Sequence, residues 1–214
     1  MKKFTALFIL GIFASSPAFA DRMKQYKVSI TNATTHHVFT PVLIATHHKS
    51  VSLFNIGAVA SDGLSLQAET GDPTVLLAET QAKHGVVDTI VGDFTPYGQT
   101  TEYVISARKS SRLSLTTMLA TTNDGFAALN SVALPKKSAT YYAHVYDAGS
   151  EKNNEDCAFI PGPPCAMTSG NSRDTDAEGF ISLHNGIHGH ASLSPQDLDW
   201  RGPVAIVTIS RIHH

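Results

Sequence analysis

The second half of the chain alternates apolar and polar residues with a period of two, and this restricts it to strands. Tyr103, Ile105 and Ala107 alternate, and so do Leu113, Leu115, Thr117 and Leu119. A period of two puts every second side chain on one face of a pleated strand. With Lys109-Ser110-Ser111 as a turn, residues 101–120 read as a hairpin. Thr140 to Tyr146, Phe180 to Leu183 and Val204 to Ile209 supply further strands. Upstream, Tyr26, Val28 and Ile30 mark a first strand. Phe39 to Thr46 marks a second, with Pro41 near its start at a sheet edge, and Val86 to Val91 a third. Phe54 to Ala60 and Thr74 to Lys83 have helix-compatible patterns, the latter with Asp72 as N-cap and Pro73 in the first turn. Strands at this spacing, joined by turn-rich connections, predict an all-β fold of the antiparallel sandwich type.

The first twenty residues read as a leader rather than part of that fold. Met1-Lys2-Lys3 gives a positive start, Phe4 to Phe13 a short apolar core, and Ala18-Phe19-Ala20 a small-x-small cleavage site. The pattern is that of a bacterial-type signal peptide, with residues 21–214 expected as one exported domain, secreted or periplasmic. The apolar run is too short for a membrane span, and no later segment is apolar enough for one. Without Lys2 and Lys3, 14 basic residues remain against 18 acidic ones, a formal charge of −4. That balance lacks the basic face a nucleic-acid partner needs. Export also places Cys157 and Cys165 where disulfides persist, and Pro161-Gly162-Pro163-Pro164 bends the chain between them. A disulfide across so small a loop contributes about 2–3 kcal/mol at most. Residues 151–179, rich in Gly, Pro, Asn, Ser and Asp, form a long irregular excursion that needs such a tie, or a bound ion, to be ordered.

Specific chemistry is suggested by two acid-bearing turns. Asn123-Asp124-Gly125 ends one apolar run, and Tyr146-Asp147-Ala148-Gly149-Ser150-Glu151 ends another. Asp124, Asp147 and Glu151 are candidate ligands for Ca²⁺, a hard cation that takes six to eight oxygens. Gly125 and Gly149 let the backbone bend, and Asn123, Asn153, Asn154 and Glu155 are nearby oxygen reserves. The competing reading is an ordinary pair of solvated turns.

The stretch from Thr121 through Phe126 to Pro135, followed by Tyr146 to Glu151, resembles the spondin N-terminal (F-spondin) domain family. So do Glu178-Gly179-Phe180, His184-Asn185-Gly186-Ile187-His188-Gly189 and Asp199-Trp200-Arg201-Gly202-Pro203-Val204-Ala205. Val28 to Asn32, Ala60 to Leu64 and Ala68-Glu69 fit as well, so the likeness spans about residues 26 to 212. The resemblance implies an eight-stranded antiparallel β-sandwich, C2-like, with short helices in the connections. It also implies a secreted adhesion or ligand-binding module, without catalytic activity, that holds Ca²⁺ at one end. By position the calcium ligands are Asp124, Asp147 and Glu151, the last standing where animal members usually have Asp. The expected partner is an extracellular protein or glycan.

A rival reading starts from the chain's 11 histidines. His184, His188 and His190 form H-x3-H-x-H, a spacing able to ligate Zn²⁺ or Cu²⁺ in a secreted metal-dependent hydrolase or metal-handling protein. Against an enzyme stands the lack of a Gly-x-Ser-x-Gly turn or a His-Glu-x-x-His helix. His144 lies three residues before Asp147, and a strand would face the two to opposite sides. Trp200, the single Trp, is expected as a core plug before the last strand.

Overall fold

The computed structural model describes residues 23–166, 173–174 and 176–213. The expected leader, residues 1–20, lies outside the described residues, as does His214. Nine strands and three helices occur among the described residues. They run β1 (Lys24–Asn32), β2 (Leu43–His47), α1 (Asp62–Thr70), α2 (Thr74–Ala82), β3 (Val86–Val91), β4 (Thr100–Ala107), β5 (Arg112–Met118), β6 (Gly125–Ala133), β7 (Ser138–Asp147), β8 (Ser182–Leu183), α3 (Pro195–Leu198) and β9 (Ala205–Arg211). The all-β expectation holds. Every strand pairing is antiparallel, in the order β3-β2-β5-β6-β7-β9-β1-β4, with β8 added beside β7.

Strand β7 makes this one path into two facing layers. Its first part, Ser138 to Ala143, pairs with β9, and its last part, His144 to Asp147, pairs with β6. The chain thus changes sheet within one strand, and the layers close over a core of Val28, Ile30, Ile44, Ile105, Leu113, Leu115, Val207 and Ile209. Alternation survives where one face meets solvent: in β7 Ala143 and Val145 are buried while Tyr142 and His144 are exposed. Strand β5 is buried almost throughout because α1 covers its other face. There Gln67 of α1 accepts from Thr116 Oγ1 at 2.7 Å and donates to the Thr116 and Pro41 carbonyls. A second cluster, Leu43, Leu64, Leu76, Phe54, Phe126 and Ala148, fills the space under the helices.

The structure departs from the expectations in several places. Strand β2 begins at Leu43, after Pro41, and lies between β3 and β5 rather than at a sheet edge. Strands β4 and β5 form, but not as a hairpin: β4 pairs with β1, while β5 pairs with β2 and β6. Residues 108–111 carry the chain from one layer to the other. Residues 54–60 are irregular, because Phe54 turns inward to meet Phe126 and Tyr146 at ring distances of 5.1 and 5.0 Å. The first helix begins instead at Asp62 and contains Gly63, where an added Cβ would lie 2.5 Å from the backbone nitrogen of Leu76. That glycine lets α1 and α2 approach each other. Helix α2 forms as expected, but Pro73 rather than Asp72 stands at its N-cap position, one residue later than read. Asp72 Oδ1 accepts the Thr74 amide at 2.9 Å from just outside the helix.

Cys157 and Cys165 form the expected disulfide. It sits on a third cluster, Ile160, Ile187, Leu193 and Leu198, against which Trp200 packs. Trp200 also touches the main core, so it plugs the join between sandwich and loops. Among the described residues no helix is long and apolar enough to cross a membrane.

Candidate functional site

Strand register brings the two acidic turns together. Gly125 at the start of β6 lies opposite Asp147 at the end of β7. The residue before one and the residue after the other are therefore neighbours, and the Ala148 amide donates to the Asp124 carbonyl at 3.2 Å. The Asp124 side chain then reaches across: its Oδ2 accepts the amides of Ser150 at 2.7 Å and Glu151 at 3.0 Å. Asp147 Oδ1 accepts the Gly149 amide at 2.6 Å, closing its own turn. Gly149 has φ +65°, and a Cβ there would lie 2.3 Å from the Phe180 carbonyl oxygen, so only glycine fits. His144 faces away to solvent, as strand alternation requires.

All three predicted acids are buried, at 0%, 3% and 2% exposure for Asp124, Asp147 and Glu151. Asp124 Oδ1 and Glu151 Oε2 are shut off from solvent with no hydrogen-bond partner among the described residues. A buried, unpaired carboxylate oxygen is costly, and native interiors rarely keep one without a counter-charge. Burial, then the Asp147 charge, pushes Asp124 up to about 7. Burial, with the Glu178 charge adding, pushes Asp147 up to about 6. Burial, then the charges of Glu69 and Asp124, pushes Glu151 up to about 8, against the pull of Arg173 and the Asn123 amide. The cluster as it stands favours protons, or some other cation, on its oxygens.

Two members of this cluster were not singled out as site residues in the sequence. Glu69 enters from α1, and its carboxylate is gripped by the Arg173 guanidinium through Nε at 3.0 Å and through a second nitrogen. Arg173 is thereby committed to Glu69. Glu178 is exposed at the outer edge, and the Asn153 amide bridges it at 3.3 Å to Asp147 Oδ2. Both acids belong to segments that resemble the family. Nothing local in a helical Glu69 or a loop Glu178 says which way it faces. Asp124 is the hub, its carbonyl accepting the Ala148 amide and its Oδ2 the amides of Ser150 and Glu151. The three are a looser set than Glu155, His188 and His190, the only three-member His, Cys, Asp and Glu group among the described residues with ligand atoms all within 4.8 Å of one another.

That second group borders a cavity of about 310 Å³, lined also by Asn123, Asn153, Glu178 and His184. The structure brings His188 and His190 together and holds His184 differently. The Gly186 amide donates to His184 Nδ1 at 3.0 Å, the His184 ring lies 5.0 Å from Trp200, and its Nε2 is buried without a partner among the described residues. Burial, then the neighbouring His37, pushes His184 down to about 4, so the ring is neutral.

The matching sequence family is described as Spondin_N, and the match covers residues 22–154, more than half of the chain. The chain belongs to the spondin N-terminal domain family. Comparison with curated proteins gave no match. The matched span of the spondin domain takes in both acidic turns, with Asp124, Asp147 and Glu151, and Glu69 as well. Residues 155–214, which carry β8, β9, the disulfide and the histidine group, lie beyond it. Membership, together with the disulfide, makes this an extracellular ligand-binding module.

The acid cluster has the donor chemistry that Ca²⁺ takes, although its three acids do not have ligand atoms all within 4.8 Å of one another. The donors are hard oxygens, two of them buried and unpaired among the described residues, and the acids outnumber the single committed arginine.

Proposed function

We propose that this spondin domain is a calcium-stabilised adhesion or ligand-binding module that works without catalysis, exported to the periplasm or beyond by its leader. The observation that carries the reading is the pair of buried oxygens, Asp124 Oδ1 and Glu151 Oε2, without partners among the described residues and in a cluster with Asp147. Asp124, Asp147 and Glu151 would hold the ion, with Asn153 and Glu178 at its margin. Bound there, the ion supplies positive charge to oxygens that otherwise repel one another.

The protein's own part is positional. The β6–β7 register sets the two turns side by side, and Gly149 lets the second turn fold under Phe180. Backbone amides of residues 149–151 fix one oxygen each of Asp147 and Asp124, and the Asn153 amide reaches the second oxygen of Asp147, leaving Asp124 Oδ1 open. Because Glu69 and Arg173 adjoin Glu151, the ion would also tie α1 and the chain around residue 173 to the strand ends. A binding role is favoured over a catalytic one because the three acids are buried, and a substrate would have no path to them. The ligand is an extracellular protein or glycan that meets the surface ordered by these turns.

The test is a calcium titration of the purified protein read by thermal melting, with EDTA as the reference. One equivalent of Ca²⁺ should raise the melting temperature, and Asp147→Asn should remove that rise. A melting temperature indifferent to Ca²⁺ at millimolar concentration would refute the ion site.

A further inference from the structure

We propose that Glu155, His188 and His190 form a second metal site, selective for a late transition ion such as Zn²⁺ and separate from the acid cluster. Their ligand atoms already lie within 4.8 Å of one another. Two imidazoles and one carboxylate are a donor set for Zn²⁺ or Cu²⁺ rather than Ca²⁺, which takes oxygen alone.

Glu155 is held for such a role from several sides. Its backbone sits at φ +58°, its amide donates to Asn123 Oδ1 at 3.1 Å, and its carbonyl accepts from Ser192 at 2.9 Å. Its Oε2 accepts the amides of Gly189 at 2.6 Å and His190 at 2.7 Å, and among the described residues its Oε1 accepts only that of His188 at 2.6 Å. A carboxylate oxygen has two lone pairs, so Oε1 keeps one for a metal. The same three bonds wrap residues 188–190 around the carboxylate and bring the two rings to a centroid distance of 5.4 Å. Ligands oriented by backbone amides in this way lose little freedom on binding metal.

Both histidines are exposed, so an ion can enter from solvent, and three protein ligands leave a coordination position for water. His184 lines the same cavity but is excluded as a ligand. Its Nδ1 accepts the Gly186 amide, which puts the ring proton on Nε2. That N–H is buried without a hydrogen-bond partner among the described residues.

The test is Zn²⁺ binding to the untagged protein, measured by competition with a chromophoric chelator, together with the visible spectrum of the Co²⁺ form. One tight equivalent is expected. His188→Ala and His190→Ala should each weaken it by about 10-fold or more, and the double variant should lose the Co²⁺ bands. Both side chains are exposed, so melting temperatures without metal should stay unchanged. His48→Ala, a distant surface histidine, and Asp124→Asn should leave Zn²⁺ binding intact, which separates this site from the calcium site. Unchanged Zn²⁺ affinity or unchanged Co²⁺ bands in the double variant would overturn the assignment, as would loss of zinc with Asp124→Asn.

Discussion

Replacing Asp124 with Asn should have opposite effects on stability with and without calcium. The side chain keeps its shape, and its remaining oxygen can still accept the amides of Ser150 and Glu151. What changes is the charge at a fully buried hub beside Asp147 and Glu151. The rise of Asp124 from 3.8 to about 7 corresponds to roughly 4 kcal/mol of penalty on its ionised form. Because the penalty is shared with Asp147 and the surroundings relax, about half of it, on the order of 2 kcal/mol, should be recovered by Asn at pH 8 in EDTA. With Ca²⁺ at about 100 times its dissociation constant, the parent gains about 2.7 kcal/mol from binding. A variant that no longer binds forfeits that gain. For a domain of this size the gain is a melting-temperature rise of about 5–10 °C. The assay is differential scanning fluorimetry of both proteins at pH 8, in EDTA and in excess Ca²⁺. The variant should melt at or above the parent in EDTA and below it in calcium. An equal loss in both conditions would mean that Asp124 serves only as a hydrogen-bond acceptor, and the reasoning would fail.

The same electrostatics fixes a pH dependence. Folded-state values for Asp124, Asp147 and Glu151 lie above their ordinary 3.8, 3.8 and 4.5, so the folded chain binds more protons than the unfolded one. The stability these three groups contribute is full below about pH 4 and is lost as pH rises to about 8. His37, His47 and His184, held by burial below their ordinary 6.5, act in the opposite sense up to that pH. In chelator the net fall should therefore show in melts between about pH 6.5 and 8. A chelator-treated protein that gained stability over this range would contradict the shifts. Gly149→Ala forces a left-handed φ on an L-residue and meets the Phe180 carbonyl. It should cost about 2–4 kcal/mol in denaturant unfolding, and weaken calcium binding by disturbing the Asp147 turn. Cys157→Ser with Cys165→Ser should cost about 2–3 kcal/mol. The accompanying rise in amide exchange should centre on Ile160, Ile187 and Leu193 rather than on the sandwich core.

Much of the architecture was legible because strand alternation records burial directly. Tyr26, Val28 and Ile30 fell in β1, Val86 to Val91 became β3, and Thr140 to Tyr146 fell in β7. Period alone does not name a strand's partner, so residues 101–120 looked like a hairpin although β4 and β5 belong to different layers. Helix α1 was hidden by Gly63, which in isolation reads as a breaker and in the fold is the contact point with α2. Asp124 and Asp147 were visible because turn chemistry is local. Glu69 was not, because only tertiary packing turns that face of α1 toward Glu151. Glu155 was visible as a spare oxygen. Its meeting with His188 and His190, over thirty positions away, depends on three backbone bonds that no spacing rule contains.

The most direct measurement is the anomalous difference map of a crystal grown in calcium. One peak should lie among the carboxylates of Asp124, Asp147 and Glu151, within about 2.3–2.6 Å of an oxygen from each. A calcium peak located elsewhere, with Asp124 Oδ1 and Glu151 Oε2 turned to protein donors instead, would contradict the account.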